Sequence, residues 1–160
     1  MAVTVRPLRD DESWAFLEIQ RAAVRGLAVN DYPASLIEEW APLPVTDAAV
    51  AVFRVNQDDE IRLIAELDGE FVGIGALVLA ASELRACYVV PAAARKGVGS
   101  ALVAEIERIA RHHGLMHLEL LSSLTAEPFY RALGYEVGES VEHVLRSGDG
   151  MAAVKMRKTL

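Results

Sequence analysis

The chain has 160 residues, 52% of them apolar and 24% charged, a composition typical of one globular domain that buries a full core. Its net charge of −7 argues against the clustered basic surface that nucleic-acid binding requires. No stretch approaches the roughly 20 apolar residues of a membrane span, and the charged start predicts no secretory signal. We therefore expect a single domain over residues 1–160, with no nucleic-acid partner and no membrane.

The placement of cysteine, histidine and charged residues bears on the cellular compartment, on metal binding and on the charge of the ligands. Cys87 is the only cysteine and cannot form an intramolecular disulfide, which fits a reducing compartment, so we expect a cytoplasmic protein. His112 and His113 are adjacent at a predicted helix end and diverge, unlike an i, i+4 ligand pair, and we expect no metal. Residues 1–75 carry 14 acidic and 6 basic residues, whereas residues 76–160 carry 9 and 10. If both halves face one cleft, a cationic ligand favours the first half and an anionic ligand the second.

The first half of the chain is predicted to be mainly helical. Residues 3–8 are typical of a short strand, and an amphipathic helix is predicted over residues 14–27. Two shorter helices are predicted over residues 35–41 and 46–55. From Ile61 the apolar period changes to that of strands.

The second half is predicted to be a meander of strands with one parallel crossover. Asp68-Gly69, a strong two-residue turn signal, joins two hairpin strands. Pro91 ends a further strand, and Thr125 is predicted to cap a short helix. The predicted strands cover residues 61–67, 71–80, 83–90, 115–121, 135–145 and 151–160, and the predicted helices cover residues 100–113 and 126–133. This order indicates a mixed α/β domain.

A glycine pair opens the helix after residue 97. A strand, a loop and a helix with glycines at its mouth form a ready phosphate site, because the first N–H groups of a helix have no partners. The nucleoside-triphosphate pattern GxxxxGK[ST] is absent. Gly97-Val98-Gly99 fits the dinucleotide pattern GxGxxG only in part, since Leu102 takes the third glycine position. Dinucleotide binding therefore stays open as an alternative.

Two longer stretches carry a resemblance. Residues 84–102, LRACYVVPAAARKGVGSAL, and residues 125–136, TAEPFYRALGYE, resemble the CoA-binding strand, pyrophosphate loop and following helix of the GNAT family of acyl-CoA-dependent N-acyltransferases. One position departs from the family pattern: Ala94 stands where the family carries Gln or Arg, with Arg95 as the nearest cation. The resemblance implies a mostly antiparallel central sheet flanked by helices and splayed at the CoA-binding strand.

The resemblance also implies where acetyl-CoA binds. Its pantetheine arm would follow the strand that ends at Val90, and its pyrophosphate would lie on N–H groups of the glycine loop. Small residues at 97 and 99 would keep side chains away from the phosphates. The implied CoA-contacting residues are Cys87, Tyr88, Val89, Val90, Arg95, Lys96, Gly97, Val98, Gly99, Ser100, Ala126 and Phe129.

The implied reaction is direct transfer of the acetyl group to a primary amine in a ternary complex. An alkyl amine has a pKa near 10, so the resemblance assigns Glu83 as its base. Tyr130 is assigned as proton donor to the departing thiolate, and the Val89 N–H as donor to the thioester carbonyl. Because Tyr88 alternates with Val89, its side chain is expected on the opposite face, in a packing role.

The acceptor and the assembly are less defined by the sequence. The acidic first half favours a cationic amine, on a small molecule or a protein, whereas Arg21 and Arg25, one turn apart, could instead hold a carboxylate. A homodimer is left open. A non-catalytic module that binds acyl-CoA as a sensor is the alternative from a different functional class.

Overall fold

The computed structural model describes residues 2–145 and 147–160, which form one seven-stranded sheet and five α-helices. The strands are β1 Val3–Pro7, β2 Ile61–Leu67, β3 Glu70–Val78, β4 Glu83–Val89, β5 His117–Ser123, β6 Glu136–Val144 and β7 Gly150–Thr159. The helices are α1 Ser13–Leu27, α2 Ala34–Trp40, α3 Asp47–Val55, α4 Val98–His112 and α5 Glu127–Ala132.

The sheet order is β1-β2-β3-β4-β5-β7-β6, and every neighbouring pair is antiparallel except β4 and β5. The predicted hairpin is confirmed: β2 and β3 are joined by Asp68 and Gly69, whose φ angles of +54° and +80° suit a tight two-residue turn. The expected mixed, mostly antiparallel sheet is therefore present, with its one parallel pair at the crossover through α4.

The parallel pair β4 and β5 is joined only at its start. Glu83 lies opposite Glu119, and the Glu119 N–H donates to the Ser82 carbonyl over 2.8 Å. Beyond this point the two strands register no further pairs, whereas β5 continues to pair with β7 as far as Ser123. The sheet is thus split from inside, with the gap open toward the carboxyl ends of β4 and β5.

Helices cover both faces of the sheet. Helix α4 packs Leu102 and Ile106 onto β3, where Gly73 allows close approach: a Cβ on Gly73 would lie 2.9 Å from the Leu102 side chain. On the other face, α1 and α3 pack Phe16 and neighbouring residues against Ile74 and its sheet neighbours. The gap between β4 and β5 therefore lies between two layers of helices.

Some predicted boundaries move by two residues. Helix α4 begins at Val98 rather than Ser100, because Gly97 adopts the left-handed conformation that starts the helix earlier. Strand β5 begins at His117 rather than residue 115. The prediction that Thr125 caps α5 is wrong: Ala126 is the N-cap, and the Thr125 hydroxyl donates instead to Asp31 over 2.6 Å.

An ion pair holds the entry to α1. Arg6 on β1 donates to both carboxylate oxygens of Glu12, over 2.8 and 2.6 Å, and the Arg9 N–H donates to the same carboxylate over 2.8 Å. Glu12 is only 7% exposed. The bond from Arg6 lowers the pKa of Glu12 from 4.5 to about 2.

We expect this ion pair to make the stability of the fold depend on pH. Because the pKa of Glu12 is lower in the folded state, its contribution is complete above about pH 4.5 and is lost as the pH falls toward 2. The free energy of unfolding should fall by roughly 3 kcal/mol from this group alone. Urea unfolding at several pH values should show that the free energy of unfolding depends less on pH in Glu12→Gln than in the parent. The same pH dependence in both proteins would contradict the assignment.

Candidate active site

The loop between β4 and α4 turns sharply before the helix begins. Arg95 has a φ of +62° and Gly97 a φ of +81°, both left-handed. Gly97 is the N-cap of α4, and its carbonyl accepts from the Ala101 N–H over 3.0 Å. The N–H groups of residues 98–100 therefore precede the first helical hydrogen bond and have no acceptor in the helix. Together with the positive end of the helix dipole they form a site suited to an anion.

A cleft of about 450 Å³ runs from this loop through the gap between β4 and β5 to helices α1 and α2. We divide it into three parts. The loop end is lined by Ala93, Ala94, Arg95, Gly97, Val98, Gly99 and Ser100. The gap is lined by Cys87, Tyr88, Val89, Ser123, Thr125, Ala126 and Phe129. The helix end is lined by Ala23, Val24, Leu27, Ala28 and Trp40.

The backbone of Val89 is turned into the gap. The N–H of the next residue, Val90, donates to the Val72 carbonyl over 2.9 Å, on the β3 side. Because successive backbone groups of a strand point to opposite edges, the N–H and C=O of Val89 point toward β5, which has diverged here. The gap thus offers unpaired strand backbone of the kind that an extended ligand can use.

Glycine is required at positions 97 and 99 of the loop for different structural reasons. A Cβ on Gly97 would meet no atom within 4 Å, but its φ of +81° is strained for any other residue. A Cβ on Gly99 would lie 3.0 Å from two ring atoms of Phe129. Glycine at 99 therefore lets the Phe129 ring approach the start of α4, a reason that the sequence did not suggest.

Cys87 and Tyr88 face opposite sides of β4, and both line the gap. The Cys87 thiol packs toward α4, with its sulfur 3.7 Å from the Gly99 carbonyl, and burial raises its pKa to about 12. A thiol with that pKa is not a nucleophile at neutral pH. Tyr88 packs against the α1 side, and burial raises its pKa to about 12 as well. Both side chains therefore stay neutral.

Tyr130 lies one layer behind the gap. Its side chain is 6% exposed, and its ring packs edge to face on Phe129 and Tyr135, with centroids 5.1 and 5.8 Å apart. Burial, with the neighbouring Cys87 and Tyr88, raises the pKa of Tyr130 well above its ordinary value. The phenol is therefore held protonated.

Glu83 lies at the opposite end of β4 from Val89, where β4 and β5 are still joined. Six residues separate the two, about 20 Å along a strand. The Glu83 carboxylate accepts from Arg85 over 2.8 Å, and Arg85 also pairs with Asp58 over 2.6 Å. Glu83 lines a separate depression, which it shares with Glu119. The structure therefore does not bring Glu83 together with the residues of the cleft.

Comparison with known proteins identifies the family. A family model described as an acetyltransferase (GNAT) domain matches residues 28–160. The chain belongs to the GNAT family. The match spans the sheet from β2 onward, the glycine loop and both residues that Tyr130 packs against, so it includes every part of the gap.

Solved structures share the GNAT fold along the whole chain. A GCN5-related N-acetyltransferase from Rhodopseudomonas palustris is 26% identical, with a TM-score of 0.89 over 100% of this chain and 97% of that one. PaiA N-acetyltransferase from Thermoplasma acidophilum, solved with coenzyme A, is 21% identical, with a TM-score of 0.76 over all of both chains. A phosphinothricin acetyltransferase from Sinorhizobium meliloti, in complex with acetyl-CoA, is 19% identical, with a TM-score of 0.72 over 100% and 89%.

Most residues that the GNAT resemblance assigned to CoA come together in the cleft. Val90 and Lys96 do not line it: the Val90 N–H is used by β3, and Lys96 is exposed on the outside of the loop. Ala94, the departure from the family pattern, does line the loop end. Arg95 is the one cationic side chain on the cleft wall within the described part of the chain.

Sequence reasoning missed the helix end of the cleft. Val24, Leu27 and Ala28 follow helical spacing, which is equally typical of an ordinary core stripe, and Trp40 stands alone in a short helix. Only the contact between α1, α2 and the split sheet gives them a role. No pattern in the sequence marks that contact.

Residues 2–145 and 147–160 hold no group of three or more His, Cys, Asp or Glu side chains placed to bind a metal ion. Nor do they include a helix whose length and apolar character would let it cross a membrane.

Exchange of Gly97 for alanine should weaken CoA binding roughly tenfold. Alanine at a φ of +81° costs about 1 kcal/mol, and the loop relieves this strain by moving the N–H groups of residues 98–100. Gly114→Ala is the matched control, because Gly114 also has a φ of +81° and open space around it, at the far end of α4. Calorimetric titration with CoA should show a changed dissociation constant only for Gly97→Ala; equal constants would remove the loop from the binding site.

Proposed function

We propose that the chain is an N-acetyltransferase that transfers the acetyl group of acetyl-CoA to a primary amine by direct attack in a ternary complex. One observation carries the proposal: the Val89 N–H is turned into a gap whose walls include the glycine loop before α4 and residues of α1 and α2. The donor and the acceptor could thus share one cleft, with an unpaired backbone donor in its wall.

The residues of the loop end suit the pyrophosphate of CoA. The N–H groups of residues 98–100 supply the hydrogen bonds, and the Arg95 guanidinium, which lines the same end, supplies charge. Ala94 contributes no polar group. Binding is therefore assigned mainly to backbone, and the free edge of β4 would hold the pantetheine arm.

The gap and the layer of side chains behind it supply groups for the reaction itself. The Val89 N–H would donate to the thioester carbonyl as negative charge develops on its oxygen. In other enzymes, removal of one such donor lowers the rate about 10²–10³-fold. Tyr130, held protonated by burial, would donate to the sulfur as it leaves. Cys87 is assigned no covalent role, because its thiol is buried and neutral.

The amine must lose a proton before it attacks. At pH 7 only about one alkyl amine in a thousand is neutral, a cost of ~4 kcal/mol without a base. Glu83 remains the base that the resemblance assigns. Since it is paired with Arg85 and lies away from the cleft, this role requires transfer through water.

Glu83→Gln should depress activity, and most strongly at low pH, where more of the amine is protonated. Glu119→Gln is the matched control, because it removes a carboxylate from the same depression. Rates measured from pH 6 to 9 should diverge from the parent only for Glu83→Gln. A parallel pH profile in both variants would exclude Glu83 as the base.

Release of free thiol tests the proposed function. The protein is mixed with acetyl-CoA and a panel of primary amines, and CoA thiol is followed with a chromogenic disulfide, with acetylated product confirmed by mass spectrometry. Amine-dependent release supports the proposal. Binding of CoA without release from any amine would support the sensor alternative instead, and saturable NADH binding that CoA does not displace would support a dinucleotide site.

A further inference from the structure

The helix end of the cleft is apolar up to the protein surface. Val24 and Ala28 are buried there, Trp40 is half-buried, and Leu27 is 43% exposed at the rim. Tyr88 closes this end toward the gap with a neutral phenol. The side chains that line this end are apolar except for the Trp40 indole and the Tyr88 hydroxyl.

The two arginines of α1 do not face this end. Arg21 donates to the Pro42 carbonyl over 2.9 Å, and Arg25 donates to the Ala41 carbonyl over 3.0 Å and pairs with Glu38. The pair with Glu38 raises the pKa of Arg25. Both guanidinium groups are thus bound to carbonyls at the C-terminal end of α2. In the described residues the only cation on the cleft wall is Arg95, in the loop before α4.

A carboxylate lies at the rim instead. Asp31, just beyond α1, is exposed and accepts from the hydroxyl of Thr125, a residue of the cleft wall, over 2.6 Å. The Asp31 carboxylate at this opening therefore attracts a cationic ammonium group and repels a free carboxylate.

Tyr32 fastens the connection between α1 and α2 to the sheet. Strands β5 and β7 pair as far as Ser123 and Ala153, and at the next position the Tyr32 hydroxyl bridges them. It accepts from the Leu124 N–H over 2.8 Å and donates to the Ala152 carbonyl over 2.6 Å. The connection between α1 and α2 is thereby joined to both strands, and the whole cleft of about 450 Å³ leaves room for only a small acceptor beside a thioester arm.

We infer that the acceptor is a small primary amine carried on an uncharged apolar body, such as an arylalkyl amine, and not an amino acid with a free carboxylate. This inference rests on the proposed function. In the transfer the nitrogen lone pair forms a bond to the acetyl carbon and the carbon–sulfur bond breaks. Of the two protons that the ammonium group loses overall, one is balanced by the proton that the sulfur takes up, and the other passes to solvent. The apolar body stays in the helix end throughout.

Three acceptors that share one benzyl group test the inference. They are 2-phenylethylamine, phenylalaninamide and phenylalanine, compared by kcat/KM in the thiol-release assay. Phenylalanine should be at least a hundredfold poorer than 2-phenylethylamine, because its carboxylate would be buried without a partner. Phenylalaninamide, of the same size but uncharged, should recover most of the activity. Equal rejection of the amide would show a purely steric effect and would overturn the inference.

Trp40 provides the matched variants. Trp40→Ala should raise the KM for 2-phenylethylamine at least tenfold and leave the KM for acetyl-CoA unchanged, with partial recovery in Trp40→Phe. Trp14→Ala is the control, since Trp14 lies on α1 outside the cleft and is 38% exposed. Unchanged acceptor KM in Trp40→Ala would overturn the placement of the acceptor.

The two proposals fail in different ways. If CoA binds but no amine in the panel releases thiol, both the proposed function and the inference fall. If phenylalanine, or a peptide through its N-terminus, is acetylated faster than 2-phenylethylamine, the transferase function stands and the inference alone is overturned.

Discussion

Tyr130→Phe is expected to lower kcat roughly ten- to a thousandfold while leaving the dissociation constant of CoA unchanged. The substitution removes one oxygen from a buried ring that packs on Phe129 and Tyr135, so the packing of the cleft wall stays intact. What is lost is the proton donor for the leaving sulfur. Steady-state kinetics and a calorimetric CoA titration on the same preparation separate the two quantities.

Tyr135→Phe is the matched control for this experiment. Tyr135 belongs to the same aromatic cluster, but its hydroxyl donates to Glu107 over 2.9 Å, away from the cleft. Its removal should lower stability and leave turnover of the folded enzyme unchanged. Turnover at the parent level in Tyr130→Phe, or an equal loss in both variants, would remove Tyr130 from the catalytic role.

The pH profile gives an independent check on Tyr130. Burial raises its pKa well above 10, so the phenol stays protonated at every pH from 6 to 9. Ionisation of Tyr130 therefore cannot reduce activity in this range. Because the acceptor ammonium group loses its proton as the pH rises, the rate should increase with pH. A fall in rate below pH 9 that is absent from Tyr130→Phe would contradict this assignment.

The sequence predicts the fold well where local chemistry decides the structure. The turn at Asp68 and Gly69 sets the hairpin, because both residues take positive φ, and Thr46 caps α3 through its bond to the Ala49 N–H. The alternation of apolar residues predicted the strands. The resemblance then supplied the mostly antiparallel sheet, splayed at the CoA-binding strand, which no local signal would have predicted.

The site was predictable at the loop and much less so at its far end. The N–H groups of residues 98–100 follow from strand, glycine and helix alone. The pairing of Glu83 with Arg85, across a bulge in β4, depends on strand geometry that the sequence does not mark. The same is true of Arg21, whose partner is a carbonyl 21 residues away. Tertiary contacts decided which charged groups remained available.

A buried ion pair joins α4 to the end of the sheet. The Glu107 carboxylate, 6% exposed, accepts from the Lys158 ammonium over 3.0 Å at both oxygens and from the Tyr135 hydroxyl. Arg111 is 3.7 Å away but is half-exposed to solvent. Lys158 is therefore the main counter-charge of a carboxylate that lies inside the protein.

Lys158→Met should destabilise the protein by about 3–5 kcal/mol, because it leaves the Glu107 charge buried without its partner. That is a large part of the ~5–15 kcal/mol by which domains are stable. Arg108→Ala is the matched control, since Arg108 pairs with Glu105 on the same helix but is 66% exposed, and its removal should leave the free energy of unfolding nearly unchanged. Urea unfolding should give a lower midpoint at unchanged slope for Lys158→Met. The double variant Glu107→Leu with Lys158→Met should recover much of the lost stability, because no charge then remains buried. A loss equal to the sum of the two single substitutions would show that packing, and not the ion pair, stabilises this end of α4.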